Sequence, residues 1–270
     1  MNLVESILEL FFQEILWGTI KRIGAAVRWM FMSRKYSYND IYQKDWNGSL
    51  GVITICLIVV ISWFLYSKFN VSQKYTTKAS EELELLSQND EIKNGDLIFQ
   101  TSLSEQSKAI QLATHSKYSH CGIIYKEKGL FYVYEAIQPV KTTPLDKWIL
   151  RGKNRHYVIK RLKNASQVLT TETVQKMKKE GEKFKGKNYD LTFEWSDDKI
   201  YCSELIWKIY QRATGIEIGK LEKLSDFNLT NKIVKKKMKE RYGDKIPLNE
   251  IVISPAAIFD SELLITVKSN

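Results

Sequence analysis

Thiolate chemistry and proton transfer near neutral pH need cysteine and histidine, and this chain has few of either. Among 270 residues there are three cysteines (Cys56, Cys121, Cys202) and three histidines (His115, His120, His156). Cys202 stands out by position. Leu205, Ile206, Ile209 and Tyr210 follow it at helical spacing, which predicts a helix over 202–213 with the thiol in its first turn. Free N–H groups and the helix dipole favour negative charge there, so a thiolate forms more easily. Position alone does not separate a nucleophile from a small buried side chain, because cysteine also packs as a hydrophobe. The decision rests on whether a base can reach it.

His120 is the candidate base. Two strand-like runs, 120–125 and 130–135, flank Lys126-Glu127-Lys128-Gly129 and predict a hairpin. A symmetric loop pairs Tyr125 with Leu130, so paired residue numbers sum to 255 and His120 faces Glu135. Directly opposed residues share a face with Cβ atoms about 5 Å apart. A carboxylate there can hold one imidazole nitrogen and leave the other for base work. Strand alternation turns Cys121 to the face opposite His120, so Cys121 is expected to be buried packing. The same alternation speaks against a metal site at His115, His120 and Cys121, which also lacks a fourth ligand. His156, in a basic stretch at the start of a strand, is expected at the surface.

The elements that must position these residues read as a mixture. Asn94-Gly95-Asp96 signals a turn before a short strand at 97–99, and 104–114 has helical spacing. A strand is predicted at 157–162, a lysine-rich amphipathic helix at 171–184, a basic helix at 231–241 and a closing strand at 263–267. Strands and helices do not alternate regularly, so the class is α+β.

Upstream lies a segment of another kind. LGVITICLIVVISWFLY, residues 50–66, carries no charge and is flanked by Trp46, Trp63 and Tyr66, as expected of a membrane-spanning helix. The predicted division is an amphipathic N-terminal segment at 1–49, lying on the membrane or packing against a partner. An uncleaved transmembrane anchor follows at 50–69, then a linker helix at 70–91 and a soluble domain at 92–270. Six basic residues precede the span and three follow closely, which favours the C-terminal domain on the extracytoplasmic side. Cys56 falls inside the anchor. The net charge of +10 suits anionic surfaces, or simply a solvated lysine-rich face. The basic run Lys235-Lys236-Lys237 lacks the interleaved aromatics of a nucleic-acid site. Three cysteines are too few for a disulfide framework.

Four pieces in order — Gly95-Asp96-Leu97-Ile98-Phe99, Tyr118-Ser119-His120-Cys121-Gly122-Ile123, Tyr134-Glu135-Ala136 and Tyr201-Cys202-Ser203-Glu204-Leu205 — resemble the circularly permuted branch of the NlpC/P60 papain-like superfamily, the YiiX/YaeF-like amidases. The resemblance spans roughly 92–265. It implies a permuted papain-like fold with Cys202 as nucleophile, His120 as base and Glu135 as its orienting partner. Cys121 stands where the family pattern suggests an aliphatic residue. Tyr118 and Tyr201 flank the implied site and are candidate pocket residues. Asp96 belongs to a segment that borders the cleft in such folds, and Asp190, in Asn188-Tyr189-Asp190, could shape the substrate side. The implied activity is a membrane-anchored cysteine amidase or hydrolase acting on cell-wall peptide amides or acyl groups, without a cofactor. The competing readings are a tethered papain-like module that binds without turnover, and a lipid acyltransferase.

Overall fold

The computed structural model describes residues 15–32, 35–44, 46–88 and 91–270. Leu3, Ile7, Leu10 and Phe11 of the expected amphipathic segment lie outside them. The chain divides into two compact units, Met1–Lys74 and Tyr75–Asn270.

The first unit contains α1 (Trp17–Met32), α2 (Tyr38–Tyr42) and the start of α3 (Asn47–Gln88). Here α1 lies against the beginning of α3. A Cβ on Gly24 would stand 1.9 Å from the Asn47 carbonyl oxygen, so only glycine allows this approach. The Asn47 amide donates to the carbonyls of Ile41, Tyr42 and Lys44, and its oxygen accepts from Arg28. Within α3, Asn47–Asn70 forms 24 residues apolar and long enough to cross a membrane. The helix continues unbroken to Gln88, so the anchor and the expected linker are one element.

The second unit is built on a six-stranded antiparallel sheet. Its strands are β1 (Leu97–Gln100), β2 (His120–Glu127), β3 (Leu130–Glu135), β4 (Lys141–Pro144), β5 (Tyr157–Leu162) and β8 (Leu264–Ser269). Their order is β4-β3-β2-β1-β5-β8, and β6 (Glu222–Lys223) pairs separately with β7 (Ile251–Val252). The helices are α4 (Glu105–Thr114), α5 (Leu145–Leu150), α6 (Ala165–Val168), α7 (Thr171–Glu182), α8 (Cys202–Thr214), α9 (Lys232–Tyr242) and α10 (Pro255–Phe259). This is a mixed α and β architecture on an antiparallel sheet, as expected of the α+β class.

Alternation along the strands divides the core. Leu97, Phe99, Cys121, Ile123, Tyr125 and Tyr134 face α7 and α8. Ile98, Ile124, Val133 and Ile159 face Leu145, Trp148 and Ile149 of α5. Nine consecutive residues of α8, Cys202 to Tyr210, are buried, so this helix has no solvent face in its first two turns. At the far end of β1, Asp96 is fully buried. It accepts two 2.7 Å bonds from Arg161 and one from the Lys93 N–H.

The hairpin departs from its expected register. Ile123 pairs with Tyr134 and Glu127 with Leu130, so partners sum to 257 rather than 255. The loop is a two-residue turn at Lys128-Gly129, both with positive φ, a type I′ geometry that glycine makes easy and that matches strand twist. The first strand therefore runs two residues further toward the turn, to Glu127, while the second starts at Leu130 as expected. Glu135 lies opposite Gly122, and His120 sits diagonally from it. Because the displacement is an even number of residues, His120 and Glu135 still share a face.

Gly122 is where this pairing is tightest. A Cβ there would lie 2.3 Å from Val133 Cγ1 and 2.9 Å from the Tyr134 carbonyl oxygen. We expect Gly122→Ala to lower stability by about 1–3 kcal/mol, read from the denaturant midpoint of the full chain. An unchanged midpoint would show that the hairpin relaxes freely at this point.

Candidate functional site

His120 is the first residue of β2, where the sheet is incomplete. β3 ends at Glu135, so no strand borders β2 on that side, and the ring stands beside Ala136, Ile137 and Gln138. Its Nε2 lies 2.6 Å from Glu135 Oε2. Its face stacks on Trp148, with ring centroids 5.9 Å apart. With Nε2 engaged, Nδ1 is the nitrogen left for Cys202, which lies near enough for each group to shift the other's pKa.

Glu135 is fully buried and held by four donors. Thr143 donates to Oε1 at 2.6 Å, while Trp148 Nε1 at 2.8 Å, Arg151 and the His120 ring converge on Oε2. Burial alone would raise its pKa. Hydrogen bonding and attraction from His120, with Arg151 and Thr143, outweigh that and bring it down to about 2. Trp148, Thr143 and Arg151 were not singled out from the sequence. Their signal is the proline at 144 followed by Leu145, Trp148 and Ile149 at helical spacing, which marks a short helix starting at α5.

Cys202 occupies the first turn of α8, after the N-cap Tyr201. Its thiol is held well below the ordinary value. The largest cause is a hydrogen bond from the Cys121 side chain; burial opposes it, and the His120 ring and the Cys121 backbone N–H assist it. On His120, burial disfavours the charge, but the bonds to Cys202 and Glu135 prevail and lift its pKa to about 9. The arrangement can therefore hold a thiolate and an imidazolium together at neutral pH.

Cys121 is fully buried in the core, as expected. It does face away from the side of the sheet that carries Trp148 and Glu135, as alternation requires. That same alternation turns it to the side of the sheet that α8 covers, where it packs in one apolar cluster with Cys202. The backbone explains its free N–H. The Ile124 N–H donates to the Asp96 carbonyl just before β1, so the N–H of Cys121, an odd number of residues away, points toward the side where β3 has already ended.

Two cavities adjoin Cys202 and His120. One is mostly apolar and lined by Cys202, Tyr201, Phe193, Ile110, Val234 and Met238, among others, with Lys237 and Arg241 also on its wall. The other is a groove with His120, Ser102, Ser104, Gln106 and Gln138 on its wall among apolar residues such as Ile137 and Leu191. Tyr189 lines both, and its hydroxyl accepts from Gln106 at 3.1 Å.

The remaining expected site residues separate. Tyr201 lines the apolar cavity, and its hydroxyl accepts from the Ile253 N–H at 3.0 Å. Tyr118 lines neither cavity. It packs against Phe259 and His156, with ring centroids 4.1 and 6.1 Å away, because its strand-entry position turns it toward α10. Asp96 is the structural clamp on Arg161, at the end of β1 remote from His120. Asp190 is buried beside the cavities without lining them and accepts from the Thr192 N–H and hydroxyl at 2.8 Å. The adjacent Tyr189 is the residue of that cluster that reaches the cavities. His115 caps α4 and meets Asn228, and His156 is tied to the terminal Asn270.

These electrostatics carry a pH signature. His120 has a raised pKa, so its proton is retained through neutral pH and lost as pH rises through about 9. Cys202 has a lowered pKa, so the ion pair disappears on the acid side only when the thiolate is protonated. Thiolate ultraviolet absorbance, with Cys202→Ala subtracted, should already be developed at pH 7. A Cys202 signal appearing only near pH 8.5 or above, the range of an ordinary thiol, would contradict the geometry.

Residues 91–268 match the family model described as "Permuted papain-like amidase enzyme, YaeF/YiiX, C92 family". The chain is 49% identical over 173 residues to the uncharacterized protein YiiX of Escherichia coli strain K12, covering 64% of this chain and 84% of that protein. A crystal structure described as the metalloprotein YiiX from Escherichia coli O157:H7 superposes with a TM-score of 0.63 at 49% identity, covering 66% of this chain and 97% of the other. Among the described residues of the present chain, no group of three or more His, Cys, Asp or Glu side chains is arranged to hold a metal ion, so no step is assigned to a metal. With two thirds of its length inside the matched region, the chain belongs to the permuted papain-like amidase family YaeF/YiiX.

Proposed function

We propose that this protein is a membrane-anchored cysteine amidase or acyl hydrolase in which Cys202, His120 and Glu135 act together. The observation that carries the reading is the 2.6 Å bond from the His120 ring to the buried Glu135 carboxylate, with Cys202 in the first turn of α8, on the wall of an apolar cavity and near enough to His120 for each to shift the other's pKa. The Cys202 thiolate attacks a carbonyl carbon and forms a tetrahedral intermediate. The free N–H of Cys202, at the start of α8, is suited to donate to the oxyanion. As the C–N or C–O bond breaks, His120 Nδ1–H passes its proton to the leaving group. Water then attacks the thioester, His120 takes the water's proton, and the carboxylic acid departs.

The two cavities suggest how the substrate divides. The apolar cavity suits the acyl part, and the serine- and glutamine-bordered groove suits a polar amine or alcohol part. This favours a substrate with an apolar acyl group over a wholly polar cell-wall peptide. The apolar helix Asn47–Asn70 would hold the enzyme at the bilayer as a single-pass anchor, with the catalytic unit on the extracytoplasmic side by the charge bias of its flanks.

The test is hydrolysis by the full chain in detergent of acyl amides, acyl esters and defined cell-wall peptides. Cys202→Ala should abolish turnover, and Glu135→Gln should lower kcat by about 10²–10⁴-fold, since the imidazole loses its orienting charge. Turnover of cell-wall peptides alone would overturn the acyl assignment. Turnover of no substrate, with tight binding that Cys202→Ala leaves intact, would favour the binding module.

A further inference from the structure

The apolar cavity beside Cys202 has a charged feature that the mechanism above does not use. Lys237 and Arg241 stand on its wall, and among the described residues no aspartate or glutamate does. Both come from one face of α9. Val234, Lys237, Met238 and Arg241 recur at i, i+3, i+4 and i+7, the spacing that sets side chains in one row along a helix. Val234 and Met238 are buried, so the row faces inward, whereas the other lysines of α9 are exposed.

Neither cation is neutralised from within the cavity. Lys237 pairs with Glu105 at 3.1 Å and Glu240 at 2.9 Å, but those two side chains are largely exposed, so water screens the attraction. Arg241 makes no hydrogen bond or ion pair with a described residue. Its guanidinium lies 5.0 Å from the centre of the Phe193 ring, which is itself part of the wall. A ring face holds a guanidinium in place and leaves its N–H donors unused. A cavity shaped only for a hydrocarbon chain gains nothing from two cations, which lose hydration against an apolar wall.

We propose that Lys237 and Arg241 are specificity-determining residues, which select a substrate bearing an anionic group, carboxylate or phosphate, on the apolar part that enters this cavity. The inference deepens the acyl reading above and rests on it. The apolar wall takes the chain. Arg241 offers parallel N–H donors to an oxyanion, and Lys237, one turn away, adds a second charge. Carboxylate and phosphate both present the paired oxygens that this geometry fits.

The test is titration calorimetry on the full chain in a non-ionic detergent, with hexanol, hexylamine, hexanoate, hexyl phosphate and inorganic phosphate as probes. At least one of hexanoate and hexyl phosphate should bind about tenfold or more tightly than hexanol, and the tighter of the two names the anion. Replacing both cations, Lys237→Gln with Arg241→Gln, should remove that advantage and leave hexanol binding as it was. Arg241→Lys keeps the charge without the paired donors and should retain part of it. Four results would each overturn the proposal: equal binding of hexanol and the two anions, tighter binding of hexylamine than of either, inorganic phosphate binding as tightly as hexyl phosphate, or an advantage that survives the double variant. If the double variant does not fold, Arg241→Gln alone must reduce the ratio, and the ranking of probes by the parent chain still decides. No turnover is involved, so an anion preference without hydrolysis of any substrate would sink the enzyme and keep the selection. Hydrolysis with no anion preference would do the reverse.

Discussion

The arrangement depends on one buried anion. Glu135 has no exposed surface, and a carboxylate in such a place is tolerated only if its charge is met by donors. It receives four, from β2, β4, α5 and the residue just beyond α5, so the group that orients the His120 ring also ties together the edge of the sheet and the helix across it. Removing any one donor leaves a partly uncompensated charge, which is why this cluster is sensitive in both stability and chemistry. Trp148 serves twice, donating to the carboxylate through its indole N–H and backing the imidazole with its ring.

The opposite face of the sheet supplies the sulfur. Helix α8 is buried along its first nine residues, an unusual environment for a helix that begins with a thiol, a serine and a glutamate. Ser203 finds a hydrogen-bond partner and Glu204 an ionic one. Ser203 donates to the Ile253 carbonyl, and Glu204 meets Lys208, which in turn reaches Ser196 and Asp197. Burial lifts the Glu204 pKa to about 8 even against the pull of Lys208. The helix is thus fixed in position by its polar groups as well as by Leu205, Ile206 and Ile209, and the Cys202 sulfur is presented where the sheet has ended.

The incomplete edge of the sheet gives the site its character. Had β3 continued two more residues, it would have paired with His120, used the Cys121 N–H and closed the notch. Its early end leaves a histidine ring with an open side, a backbone N–H without a strand partner and space for a groove that serines and glutamines border. The apolar cavity on the other side of Tyr189 is closed by α9, whose Val234 and Met238 face inward with Lys237 on the wall, while Lys232, Lys235, Lys236 and Lys239 stay in solvent.

Much of this was legible in the linear chain. Periodicity marked the main strands and helices, because each buries one face and the apolar residues must recur at that period. The order of His120, Glu135 and Cys202 and their local contexts pointed to thiol chemistry and to the family. The shared face of His120 and Glu135 followed from parity alone, which survives any even displacement of register. The register itself did not follow, since a two-residue turn at Lys128-Gly129 and the symmetric loop first expected differ by less than local pattern can resolve. The tertiary structure alone decided which neighbours complete the site. Thr143, Trp148 and Arg151 reach Glu135 from segments whose local signals are weak, and Asp96 and Tyr118 turn away into clamp and stack. Such contacts join residues distant in the chain, and only the packing of strands against helices fixes their distances.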